Sequence, residues 1–199
     1  TAFRLTVKEW EWLKENPVLK VPKEKGNNKR DRWLTEDEER KILSNSPEQI
    51  REVVVFLLNT GLRIEECLSL EWSKVNLSYR TVFIQETKSG DPKTIPLNTA
   101  ALDVLKARST VRSIKNDYVF LGRNGGKVLQ GTLRKTFYAV LGKVGIEDLR
   151  LHDLRHTFAT RLAQSGVDLY KISKLLGHKD IHMTQRYAHH CPDSLRDGV

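Results

Sequence analysis

The sequence predicts an α+β fold, mainly helical, in which a small antiparallel β-sheet interrupts a run of helices. Three observations carry that expectation. Apolar residues recur at helical spacing over most of the chain, as at Ile50, Val53, Val54, Leu57 and Leu58. After Trp72 the pattern changes, and two short β-type runs flank the turn-forming stretch Lys88-Ser89-Gly90-Asp91-Pro92. Charged residues make up 30% against 39% hydrophobic ones, a globular composition. No apolar run approaches the ~20 residues a membrane span needs.

The elements follow in order. Residues 1–18 carry Trp10, Trp12, Leu13 and Val18 at a spacing that predicts a short helix ending before Pro17. Val21 to Arg30 is polar and basic and reads as a linker. The compact part begins near Trp33. Thr35-Glu36-Asp37-Glu38 is a capping box, and Ser46-Pro47-Glu48-Gln49 repeats the logic with proline in the first turn. The helix opened there stops at Asn59-Thr60-Gly61, where glycine suits a left-handed end. Thr81–Thr87 and Lys93–Leu97 form a hairpin with Lys88 at its tip. Asn98 caps a helix through Leu102 and Leu105, and Tyr118–Leu121 reads as a short strand or extended segment. Three further helical stripes follow: Leu133, Phe137, Val140, Leu141 and Val144; Leu154, Phe158, Leu162 and Ala163; and Leu169, Ile172, Leu175 and Leu176, ending at Gly177.

Composition narrows the function. Thirty-four Lys and Arg against 25 Asp and Glu give a net charge of +9, which favours a polyanionic partner such as nucleic acid. Two cysteines, Cys67 and Cys191, make no disulfide framework and favour a reducing, cytoplasmic setting. The start Thr1-Ala2-Phe3-Arg4 has no secretion-signal pattern and no initiator Met, so a piece of a longer chain is expected. His178, His182, His189, His190 and Cys191 cluster in sequence but lack Cys-x-x-Cys or His-Glu-x-x-His spacing, so no metal and no cofactor is expected.

Four segments hold residues suited to phosphate chemistry. Arg63 directly follows a helix stop, so a short turn can aim its fork of donors from a rigid helix start. His152 and Arg155 are three apart and share a helix face. His178 lies just past a glycine helix end, and Tyr187 follows nine residues later. Each segment alone has a structural explanation: Arg63 pairs with Glu65 or Glu66, Lys88 serves solubility, and the histidines and the tyrosine fill space. Their joint occurrence in this order is the informative feature.

Those residues resemble the tyrosine recombinase, or phage integrase, family from about Trp33 to His190. Thr60–Glu66 is similar to its first arginine box, Leu151–Thr160 to its histidine–arginine box, Leu175–His178 to the next histidine box, and Arg186–His189 to its nucleophile box. The resemblance implies Arg63, Lys88, His152, Arg155, His178 and Tyr187 as catalytic residues, with Glu66 supporting them; Lys93 lies close to Lys88. It implies an integrase-type catalytic domain over 31–199 with a C-terminal tail, and residues 1–30 as the end of a core-binding domain plus linker. It also implies metal- and ATP-free cleavage and rejoining of double-stranded DNA through a 3′-phosphotyrosine. The expected assembly is a homo-tetramer on paired sites, monomeric without DNA, in a bacterial or phage-derived cytoplasm and near the nucleoid. Type IB topoisomerases share the chemistry and are the nearest alternative. A DNA-binding protein that has lost catalysis and a basic helical scaffold are further ones.

Overall fold

The computed structural model describes residues 2–22, 31–85, 91–122 and 124–191, and the chain divides into two compact units, Thr1–Asp31 and Arg32–Val199. In the smaller unit α1 spans Ala2–Lys8, and a 3-10 turn over Pro17–Lys20 is capped by Asn16, whose side chain accepts from the Val18 amide. The predicted helix up to Pro17 is therefore cut short. Trp10 and Trp12 lie outside it, exposed and packed on each other with ring centroids 4.9 Å apart. A short helix needs an apolar surface to pack on, and within this unit both indoles remain open to solvent. Most of the basic stretch before Arg30 lies outside the described residues.

In the larger unit α2 (Glu36–Asn45) opens on the expected capping box: Thr35 Oγ1 accepts from the Glu38 amide and Glu38 accepts from the Thr35 amide. The second predicted box does not form. Pro47 is the N-cap of α3 (Glu48–Thr60) and offers no side-chain acceptor, while the Ser46 hydroxyl turns back to donate to the Ile42 carbonyl at 2.7 Å. Serine there closes the preceding helix because only Ser46 and Pro47 separate the two helices. Ile50, Val53, Val54, Phe56, Leu57 and Leu58 bury the α3 face. Gly61 ends the helix at φ 62°. A Cβ there would also lie 2.3 Å from the Phe158 ring, so the position needs glycine twice over.

Next come α4 (Ile64–Leu68) and a three-stranded antiparallel sheet in the order β1 (Val75–Asn76), β2 (Thr81–Ile84), β3 (Lys93–Pro96). Val82 pairs with Ile95 and Ile84 with Lys93, so Val82, Ile84 and Ile95 face the core while Phe83 faces outward. The third strand, β1, was not anticipated; two residues are too few to show a period. Tyr118 and Leu121 make only isolated bridges, to Glu71 and Lys127. The rest is helical: α5 (Thr99–Ser109, capped by Asn98), α6 (Gln130–Val144), α7 (Asp153–Gln164), α8 (Leu169–Leu176) and α9 (His182–Gln185). Helix α3 is central and packs on both α5 and α7. Among the described residues no helix is long and apolar enough to cross a membrane.

Candidate active site

The site is built where helix ends meet. Arg63 is the N-cap of α4, and the Glu66 carboxylate one turn later accepts both its amide, at 3.0 Å, and its guanidinium, at 2.8 Å. Glu66 also accepts from Lys93 Nζ at 2.9 Å, so one buried carboxylate ties the start of α4 to the start of β3. Lys93 reaches on to the Leu176 carbonyl at 3.3 Å, and it passes so close to Gly177 that a Cβ there would stand 3.1 Å from its Cδ.

Arg155, in the first turn of α7, is buried. Its guanidinium donates to the Gly61 carbonyl at 2.7 Å and to the Leu176 carbonyl at 2.6 Å. Both acceptors lie at helix C-terminal ends, α3 and α8, where carbonyls lack intrahelical partners and carry partial negative charge. Two of five guanidinium donors are thereby used to fix the side chain, leaving others for an anion. The same Leu176 carbonyl receives Arg155 and Lys93, so α8 positions both cations.

His152 caps α7, and His178 follows the Gly177 terminus of α8. His178 Nδ1 is 2.8 Å from Thr184 Oγ1. If that nitrogen accepts, Nε2 carries the proton and can donate. Tyr187, just past α9, packs against Ala159, Ala163, Ile172 and Leu176 and is 2% exposed. Its hydroxyl lies 2.6 Å from Nδ1 of His156, and the Arg186 guanidinium stands 5.8 Å from its ring centroid.

The charges of these groups act on one another. Burial and the Arg63 charge push Arg155 down to about 10, against Glu66 and Tyr187, so it stays cationic at neutral pH. Desolvation, then Arg155, Arg63, Lys93 and His152, push His178 down to about 4, so its ring is neutral. His152 is lowered by desolvation and Arg155, with Asp153 opposing. Burial raises Glu66, but Lys93 and Arg63 outweigh it and hold the carboxyl below its usual range. Burial lowers Lys93, opposed by Glu66. An excess of cations with depressed affinity for protons marks a pocket that an anion would relieve.

Arg63, Glu66, His152, Arg155, His178 and Tyr187 are thus drawn from four stretches of chain into one neighbourhood. Lys88 lies outside the described residues. Two contributors were not singled out from the sequence. His156 had a usable signal, standing one helical turn after His152 on the same face. Lys93 stood out only as a neighbour of Lys88, since only the folded strand carries it to Glu66. Beside the cluster opens a groove of about 810 Å³, lined by Arg63, His152, Lys74, Phe83, Gln85 and Gln130 among others.

Residues 32–193 match the model of the phage integrase family. The integrase of Salmonella phage P22 is 35% identical over 210 residues, which cover 98% of this chain and 52% of that protein. The tyrosine recombinase XerC of Halalkalibacterium halodurans is 32% identical, covering 98% of this chain and 69% of its own length. Among solved structures, the Tn1549 transposon integrase in complex with circular intermediate DNA superposes with a TM-score of 0.72 at 25% identity, over 86% of this chain and 67% of that one. The chain therefore spans about half to two thirds of the relatives it matches.

Proposed function

The chain belongs to the phage integrase family of tyrosine recombinases, and from that premise we propose that it is the catalytic part of a site-specific DNA recombinase. The observation that carries the reading is the gathering of Arg63, Arg155, His152 and His178 beside one buried phenol.

In this reading Tyr187 attacks a DNA phosphodiester in line. Its oxygen bonds to phosphorus, the bond to the 5′ oxygen breaks, and the strand end is held as a 3′-phosphotyrosine. A second 5′ hydroxyl then reverses the step on a new partner, so no nucleotide energy source is needed. Arg63 and Arg155 hold the non-bridging oxygens and neutralise the charge that grows on them. Neutral His178 donates from Nε2 to one such oxygen. Lys88 protonates the leaving 5′ oxygen, and His152 assists proton transfer. Glu66 holds Arg63 in place. At 2% exposure the phenol is shut off from solvent, so engagement requires the segment around α9 to shift when DNA binds.

Double-stranded DNA is the proposed partner, supported by the net charge of +9 and by the DNA held by the Tn1549 relative. A homo-tetramer on paired sites, a cytoplasmic location on the host nucleoid, and a role for residues 1–30 as the end of a core-binding domain complete the proposal. The deciding experiment is covalent trapping. Nicked duplexes with randomised sequence around the nick are incubated with the chain, and denaturant-resistant adducts are recovered. Adduct is expected with the unaltered chain in EDTA and none with Tyr187→Phe, which still binds DNA. An adduct from Tyr187→Phe, or strict dependence on added Mg²⁺, refutes the reading. Relaxation of single plasmids without joining of paired sites would instead favour a topoisomerase.

A further inference from the structure

Resting on the recombinase reading, we propose that Lys93 is a positioning residue for the phosphate clamp: it occupies the Glu66 carboxylate, so that the Arg63 charge stays available to the scissile phosphate, and it fixes the spacing between Arg63 and Arg155. Hydrogen bonds run from one guanidinium to the other through Lys93. Arg63 donates to one Glu66 oxygen at 2.8 Å, and Lys93 Nζ donates to the other at 2.9 Å. Lys93 Nζ also donates to the Leu176 carbonyl at 3.3 Å, where Arg155 donates at 2.6 Å. Arg155 donates in addition to the carbonyl of Gly61, close before Arg63 in the chain, so the contacts close into a ring. Lys93 is the member supplied by the sheet. Every link lies at or before Leu176, so the ring does not depend on where the α9 segment holds Tyr187.

Charge decides what this link does. A carboxylate paired with Arg63 alone would cancel the charge that a phosphate needs. With Lys93 on its second oxygen Glu66 is shared, and Arg63, Arg155 and Lys93 outweigh it by a net charge of +2. His178 adds none at neutral pH, being pushed down to about 4. Between groups shielded from water such charges act with several times their strength in bulk solvent. Lys93 itself stays behind the clamp: its side chain is 8% exposed, whereas Arg63 lines the groove at 21%. It therefore acts through the two arginines and makes no phosphate contact of its own.

A buried lysine bonded to a carboxylate also holds a fold together. That purely structural account is the alternative, and it draws no distinction between a charged and a neutral phosphate.

The test uses the 199-residue chain and the nicked duplex that it captures from the randomised pool. The duplex is made with an ordinary scissile phosphate and with a methylphosphonate in either configuration. In a methylphosphonate a methyl group replaces one non-bridging oxygen, so the negative charge is gone. Adduct formation is timed for Lys93→Met, Lys93→Arg, Arg63→Ala and the combination Lys93→Met, Glu66→Gln, at a temperature where melting curves show the proteins folded. On phosphate, Lys93→Met is expected to slow by about 10- to 100-fold, the range found when a group that orients a ligand is removed. Lys93→Arg keeps most of the parental rate, because it carries the charge to the same acceptors. The combination restores the charge balance and recovers most of the loss. The methylphosphonate configuration that relieves Arg63→Ala relieves Lys93→Met as well. A Lys93→Met rate equal to the parent's on phosphate overturns the proposal, and so does an equal slowing on phosphate and on both methylphosphonates. A Lys93→Arg protein as slow as Lys93→Met overturns it too. If Lys93→Met does not fold, the combination decides: a near-parental rate supports the proposal, and a folded but slow protein overturns it. If the parent forms no adduct, the recombinase reading itself fails. Adduct from the parent together with any of the overturning results removes the role of Lys93 alone.

Discussion

His178 links the site to pH in a direction that can be worked out. Its folded pKa, pushed down to about 4, lies below the ordinary value of 6.5. Below pH 6.5 the unfolded chain binds the proton that the folded chain refuses, so stability falls as pH drops from about 6.5 through 4 and levels off beneath. His152, lowered in the same direction, adds to the slope. His178→Asn is expected to flatten the fall in melting temperature between pH 7 and pH 4.5 without abolishing it; an unchanged slope would show that the ring is not desolvated in solution. The Glu66–Lys93 pair makes a second case. Both side chains are nearly solvent-free, at 4% and 8% exposure. Breaking such a pair from one side costs about 3–5 kcal/mol, because the partner is left charged and buried. Lys93→Met is therefore expected to destabilise strongly, and the double variant Lys93→Met, Glu66→Gln to regain part of the loss. Urea melts of the four proteins give the coupling directly, and simple additivity would contradict the contact.

Helix ends do the positioning, and two glycines separate the reasons why. Gly61 and Gly145 both close helices in the left-handed region, at φ 62° and 68°. An alanine Cβ at Gly145 meets nothing within 4 Å, whereas at Gly61 it would sit 2.3 Å from the Phe158 ring. Gly145→Ala should cost about 1 kcal/mol, the backbone preference alone. Gly61→Ala should cost clearly more and lower cleavage as well, since the Gly61 carbonyl holds Arg155. Equal denaturation midpoints for the two would remove the packing argument. Much of this level was legible beforehand, because caps and stops are local chemistry: Thr35 with Glu38, Asn98, Gly61 and Gly177 each act within a turn of their own position. What escaped was chemistry that depends on distant chain. Ser46 looks like a cap until Ile42 is seen to offer its carbonyl. The tryptophans near the start look helical by spacing, although their unit provides no surface to cover them. The clustering of the boxes around Arg63, His152, Arg155, His178 and Tyr187 came from resemblance, whereas His156 and Lys93 had to be read from contacts.

At the scale of the whole molecule the net charge of +9 makes salt the natural probe of the proposed DNA contact. Each phosphate that a Lys or Arg neutralises releases condensed counterions, so log K falls against log salt with a slope of about −0.9 per contact on duplex DNA. A surface making six to ten such contacts would lose roughly 10³- to 10⁵-fold in affinity between 50 and 200 mM salt. Two lysines turn that general expectation into a local one. Lys74 lines the groove with Arg63 and His152, and among the described residues its ammonium meets the neutral Gln85 amide at 3.0 Å and the Phe83 ring, centroid 5.7 Å away, but no carboxylate. Lys41 on α2 already has Asp37 at 2.8 Å to balance it. Lys74→Gln is expected to make the slope shallower by about one unit, evenly across DNA sequences, because a phosphate contact carries no base information. Lys41→Gln should leave the slope unchanged, since a charge already matched within the protein displaces few counterions. Fluorescence anisotropy over a salt series on one duplex measures both. If the two substitutions act alike, the groove beside Arg63 is not the path of the DNA backbone, whatever the chemistry at Tyr187.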